Sequence, residues 1–140
     1  MKKNDVQTND TTRPQLLFAV LCDGVTAPDQ RGKISFVGVF DKLLRAGIIP
    51  HFSLAIGWKN GRGKFNQRVK ILDPDLKLMF ETPDMPIVVN HEAEGANSIL
   101  NIDGMNFTVP GVYWIEILLE KETTLSIPLA VGENVASAKS

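Results

Sequence analysis

Few side chains in this sequence have types and spacing that could do chemistry. Cys22 could act as a thiol nucleophile, His51 and His91 could share a metal, and Asp73, Asp75 and Asp23 could gather around calcium, with Asp29 or Asp103 joining them. Each also has a plainer reading. Cys22 closes the apolar run Leu16–Cys22, a setting for a buried and inert thiol, since a nucleophile needs an exposed, electropositive one. His51 begins a strand and His91 follows one between polar neighbours, and nothing in their spacing makes them converge. Asp73-Pro74-Asp75 has the chemistry of an ordinary turn, because aspartate caps its own backbone and proline presets φ, whereas calcium needs about six or more oxygens.

The motifs of catalysis are missing. There is no G-x-S-x-G elbow, no phosphate loop, no dinucleotide fingerprint and no paired-cysteine zinc site. Gly61-Arg62-Gly63 is a glycine pair in a turn, without the helix whose N-terminus would hold a phosphate. Asn106-Phe107-Thr108 matches a glycosylation acceptor, which matters only on export. The expectation is no catalytic residue, no metal, no cofactor and no enzyme activity.

Charge is the more informative feature. Lys59, Arg62, Lys64, Arg68 and Lys70 fall together without an acid; Asp73, Asp75, Glu81, Asp84, Glu92 and Glu94 then follow with Lys77 alone among them. The stretch around them sets the frame. Phe52, Leu54, Ile56 and Trp58 alternate with Ser53, Ala55, Gly57 and Lys59, and Phe65, Val69 and Ile71 alternate with Asn66, Arg68 and Lys70. A period of two marks strands with one dry face. With Asn60-Gly61-Arg62-Gly63 between them, the two strands are expected to form a central hairpin. On its outer face Ser53, Ala55 and Gly57 would lie beside Lys59, Arg62, Arg68 and Lys70. Either the long stems cover the small residues, or a second copy of the protein or an acidic partner packs there. Nucleic acid is not favoured, because Trp58 and Phe65 point inward and no aromatic is interleaved with the charge.

Other elements follow the same rhythm. Residues 1–14 read as a flexible arm and 133–140 as a flexible tail, with a domain over 15–132 between them. Leu16–Cys22 and Ile34–Phe40 read as strands, with Gly38 marking a bulge or a close backbone approach. Residues 42–46 hold at most one short helical turn, with Asp41 to cap it and Gly47 to close it. Leu76, Leu78 and Phe80 alternate; Pro83 and Pro86 then mark an edge. Asn97 to Ile102 is a further strand, and Asp103-Gly104 is a tight turn or a bulge. Tyr113, Ile115, Ile117 and Leu119 form one strand face, and Leu125 to Val131 form a last strand whose Pro128 marks another edge.

The count is about eight short strands and almost no helix: an all-β, antiparallel two-layer β-sandwich, immunoglobulin-like or jelly-roll-like. At 140 residues, with 44% apolar and 22% charged residues, the chain can bury one proper core. A net charge of −1 excludes strong steering of the whole protein toward nucleic acid or anionic lipid. No apolar run spans a bilayer, no apolar stretch follows Lys2-Lys3 as in a secretory signal, and one cysteine fits a reducing compartment. A cytoplasmic bacterial protein is expected.

Gly38-Val39-Phe40-Asp41 followed by Pro50, then Pro110-Gly111-Val112-Tyr113 leading to Ile127-Pro128-Leu129-Ala130-Val131, resembles a family of short, uncharacterised bacterial β-sandwich proteins over roughly Leu16 to Val131. The Pro-Gly-x-Tyr lead-in to the penultimate strand also looks like bacterial immunoglobulin-like modules. The resemblance implies a fold and a small stand-alone protein, and it carries no catalytic residues. The functional expectation is a non-catalytic interaction module for a protein partner or a second copy; the alternative is calcium or small-ligand binding at the loop end holding Asp23, Asp73 and Asp75.

Overall fold

The computed structural model describes residues 11–26 and 28–133. The proposed arm and tail therefore fall mostly outside the described residues. Residues 11–14, however, are held. Thr12 and Arg62 exchange backbone hydrogen bonds of 2.7 and 2.9 Å, and Arg13 donates to the Leu119 carbonyl at 3.1 Å and pairs with Glu122 at 3.3 Å. Pro14 is buried against Gly61.

Ten strands form: β1 (Gln15–Val25), β2 (Phe36–Phe40), β3 (Lys42–Leu43), β4 (Gly47–Lys59), β5 (Gly63–Leu72), β6 (Leu78–Glu81), β7 (Met85–Val89), β8 (Ala96–Phe107), β9 (Gly111–Leu119) and β10 (Glu122–Val131). One layer has the order β2-β1-β4-β8; the other has β3-β10-β9-β5-β6, with β7 also on β5. All pairings are antiparallel except the two-residue contact of β3 with β10. The chain is a two-layer β-sandwich with no helix among the described residues. Of residues 42–46, where at most one helical turn was expected, Lys42–Leu43 form β3 and Leu44 and Arg45 a bend; the Leu43 carbonyl accepts from Gly132 at 2.8 Å.

The alternating residues face where their parity placed them. Phe52, Leu54, Ile56 and Trp58 of one layer meet Phe65, Val69, Ile71, Ile115 and Ile117 of the other in a single core. The neighbours differ from expectation. β4 lies between β1 and β8, so β5 has no place beside it; the chain crosses to the other layer through Asn60–Gly63. Hydrophobic alternation says which face is dry and is silent about which strand lies alongside. A short Asn-Gly cluster serves a crossing between layers as well as a hairpin, with Asn60 at φ 61° and its side-chain amide on Gln15 at 2.8 Å.

One polar chain joins the layers inside the core. The Trp58 indole N–H donates to Gln67 Oε1 at 2.6 Å, and Gln67 Nε2 donates to Ser98 Oγ at 2.9 Å. Gln67 is wholly buried, so these bonds are what make its amide tolerable there.

Gly104 is neither a turn nor a simple bulge. The register with β4 is unbroken across it, His51 facing Asp103 and Ile49 facing Met105. Core-facing parity nevertheless switches on both strands: Phe52 and Ile102 face inward on one side, Ile49, Met105 and Phe107 on the other. Pro50 and Gly104, with φ 66°, sit at the switch. A β-carbon at that φ would be strained, so glycine lets both strands turn over together.

Two loops share one piece of turn chemistry. Asp29 Oδ1 accepts from the amides of Arg31 and Lys33, and Asp73 Oδ1 accepts from those of Asp75 and Lys77, at 2.8–2.9 Å. The fourth residue takes positive φ in each: Gly32 at 78° in the first, Leu76 at 65° in the second. A leucine there is strained, and Leu76 is 64% exposed, so it returns little packing. Leu76→Gly is therefore expected to raise stability by about 0.5–1 kcal/mol, read as a higher urea midpoint at unchanged slope.

Candidate interaction surface

The residues singled out for a partner surface divide between two faces. Ser53, Ala55 and Gly57 lie on the outside of the smaller layer, and all three are buried. The Phe18 ring lies directly over Gly57, leaving no room for a side chain there, and Ser53 Oγ donates to Asn101 Oδ1 at 2.7 Å. Their cover comes from the β1–β2 hairpin. Phe36 pairs with Val25, yet its ring centroid is 5.7 Å from that of Phe18. A straight strand would put Phe18 and Val25 roughly 23 Å apart at about 3.3 Å per residue, so the hairpin must bend back over the sheet. Gly38, at φ 68° with the Asp23 carboxylate against it, is part of that bend, and here the expected close approach is found. Val25, Pro28 and Ile34 of the tip reach Asn97 and Ile99 of β8 across a cavity of about 400 Å³. The small residues of β4 are thus covered by the chain's own hairpin, not by the cationic stems.

Arg68 and Lys70 lie on the outside of the larger layer. The Arg68 guanidinium contacts Asp84 at 2.8 Å and Glu81 at 2.9 Å, and these hydrogen bonds, Asp84 first, hold it still more firmly protonated than usual. Lys70 stands between Glu81 and Glu116 in the ladder. Arg62 pairs with Glu92 at 3.1 Å, which pulls that carboxyl below its ordinary range, and Lys59 is half-buried opposite Gln15. Both arginines of the basic run are therefore paired with acids of the run that follows it. β6 and β7 fold back along β5 and carry the acids with them.

What this outer face offers beyond charge is apolar. The register sets Leu72, Trp114 and Pro128 in a row across β5, β9 and β10, with Leu78 of β6 beyond Leu72 and Val112 two positions along from Trp114. None belongs to the interior core. Leu78 is 53% and Val112 42% exposed, and Trp114 is half-buried. Tyr113 and Ile115, on the strand face expected from the sequence, are buried, and the other parity puts a tryptophan outside. The signal was there: a tryptophan between two core residues of one strand.

The chemical candidates do not assemble. Asp73 and Asp75 line a cleft of about 480 Å³ with Met105, Asn106, Val109 and Tyr113, while Asp23 lies apart from it against Gly38. Asp73 Oδ1 is already occupied by two backbone amides, as its turn chemistry requires. Tyr113 donates to the Val109 carbonyl at 2.7 Å, and burial raises its pKa. His51 Nδ1 is 2.6 Å from Asp103 Oδ1, and His91 is 3.8 Å from Glu94. No cluster of three or more metal-ligating side chains occurs among the described residues.

Cys22 has no exposed surface, and burial, ahead of the neighbouring Asp23 charge, raises its thiol pKa. The thiolate that would react is thus both scarce and screened. A disulfide reagent should leave the native protein unlabelled over minutes at pH 8 and label one thiol per chain at once in denaturant; rapid native labelling would contradict this burial.

These features define a two-layer β-sandwich with paired charges and an exposed apolar row on the outer face of its larger layer. The chain belongs to a family of unknown function (DUF6941), which it matches over residues 17–132. No curated protein matches it. No helix among the described residues is long and apolar enough to cross a membrane.

Proposed function

We propose that this chain is a non-catalytic interaction module, bacterial and cytoplasmic, that binds a protein partner through the outer face of its larger layer. The observation that carries the reading is the row Leu72–Trp114–Pro128 with Leu78 and Val112 beside it, on a sheet face where polar side chains would ordinarily stand. Tryptophan is the residue most often found at the energetic centre of protein interfaces, and the paired charges of Arg68, Glu81 and Asp84 provide a polar rim. Trp114→Ser should keep the fold, because the side chain lies outside the core, and should abolish retention of a stoichiometric partner in native co-purification. The same partner retained equally by wild type and Trp114→Ser would remove the proposal.

A second reading, small-ligand or calcium binding, rests on the cleft lined by Asp73, Asp75 and Tyr113. A rise in melting temperature with millimolar calcium, reversed by chelator and lost in Asp75→Asn, supports it; an unchanged melting curve ends it.

A further inference from the structure

We propose that the outer edge of β8 pairs with β8 of a second copy of this chain, antiparallel about a two-fold axis, joining two four-stranded sheets into one of eight. This surface is distinct from the Trp114 face, and its case rests on how the edges of the sandwich are finished. β2 is five residues long, takes a positive φ at Gly38 and covers only Leu21–Val25 of β1, whose uncovered part is bulged between Leu16 and Phe18; β3 is two residues long and covers only Ala130 and Val131 of β10, whose remainder is irregular between Thr123 and Leu125 and holds Pro128. β6 and β7 share the far side of β5, separated by Thr82-Pro83-Asp84 and with Pro86 in β7. Each carries a device that blocks strand addition. β8 carries none. It is twelve residues long, is paired with β4 on one side and unpaired on the other among the described residues, and contains no proline, lysine or arginine.

The same edge is fit to meet itself. Its one charge, Asp103, is tied to His51 within the chain, so two copies approach without like charges meeting along the strand. Between Ala96 and Asp103 the strand is regular, ahead of the switch at Gly104. Its outward residues there are Asn97, Ile99, Asn101 and Asp103. A two-fold axis at Ile99 sets that side chain against its own copy and each Asn97 against an Asn101. The seam is then apolar at its centre and amide-to-amide on either side, a pattern that stabilises cross-strand pairs. Ile99 is 38% exposed even with the β1–β2 tip reaching toward it across the cavity, a large apolar residue at the centre of this unpaired edge. A self-complementary patch on a closed two-fold is the commonest way for a chain to dimerise.

Sedimentation equilibrium of the full chain from 5 to 200 µM tests this, with a monomer of 15.4 kDa as reference. The expected result is a concentration-dependent shift toward twice that mass, lost in Ile99→Lys, which sets two cations against one another on the axis, weakened in Asn97→Lys, which replaces the amide facing Asn101, and kept in Trp114→Ser. Ile99→Cys should in addition form an intermolecular disulfide under mild oxidation, a readout that does not depend on the lysine variants folding. A monomer at every concentration overturns the proposal. A dimer untouched by both lysine variants and giving no Ile99→Cys disulfide overturns it too, because the copies would then meet elsewhere.

Discussion

Trp58→Ala is expected to destabilise the domain by about 3–5 kcal/mol, the range for removing a fully buried large aromatic. Trp58 is wholly buried, sits on β4 between Leu16 of β1 and Ala96 of β8, and belongs to the core shared by both layers. Its loss leaves a void that two hydrogen-bonded neighbouring strands cannot collapse to fill. It also strips Gln67 Oε1 of its donor. Domains of this size are stable by only about 5–15 kcal/mol, so the variant should melt roughly 10–20 °C lower. Thermal unfolding by circular dichroism reads this directly; a near-unchanged transition would mean that the indole is not between the layers.

Gln67→Leu comes next, at about 2–4 kcal/mol, although it replaces a polar side chain in the core with an apolar one of similar size. Leucine packs as well but leaves the Trp58 N–H with no acceptor, and an unpaired buried donor costs about 1–3 kcal/mol. Ser98 Oγ loses its partner as well. The double variant Trp58→Phe/Gln67→Leu separates this account from simple mispacking. With the orphaned donor removed, its destabilisation in urea should fall well short of the sum of the two single changes. Additive losses would show that the bond between the layers contributes nothing beyond volume.

Gln67 also shows what the sequence could and could not reveal. It has core parity, between Phe65 and Val69, but a polar side chain, and the pattern alone passes over it. Its role depends on Trp58 and Ser98, brought to it from two other strands. The two-residue rhythm was enough to foresee two stacked layers and the inward side of β4, β5, β9 and β10, because burial of one face follows from local spacing. Strand neighbours were not legible. β4 and β5 are consecutive and joined by three residues, yet they lie in opposite layers, and nothing in either strand's own alternation records that.

The partner surface misread follows from this. Ser53, Ala55 and Gly57 were placed beside Arg68 and Lys70 by an assumed hairpin; in the fold they lie under Phe18 and the bent β1–β2 tip. The charge runs were legible as runs, but their mutual compensation required knowing that the acidic segment returns along β5. Turn chemistry fared better. The self-capping assigned to Asp73-Pro74-Asp75 is what the backbone does there, because an aspartate two residues before an amide acts locally.

One difference in exposure underlies the whole reading: Trp58 sealed between the layers and Trp114 offered on the outside. Iodide quenching of fluorescence in the single-tryptophan variants Trp58→Phe and Trp114→Phe, at a temperature where both are folded, measures it directly. Trp114 should be quenched readily and Trp58 almost not at all. Equal quenching of the two, or the reverse order, would mean that the strands run in the opposite register, since a slip by one residue exchanges the two faces, and the proposed binding surface would be inside the protein.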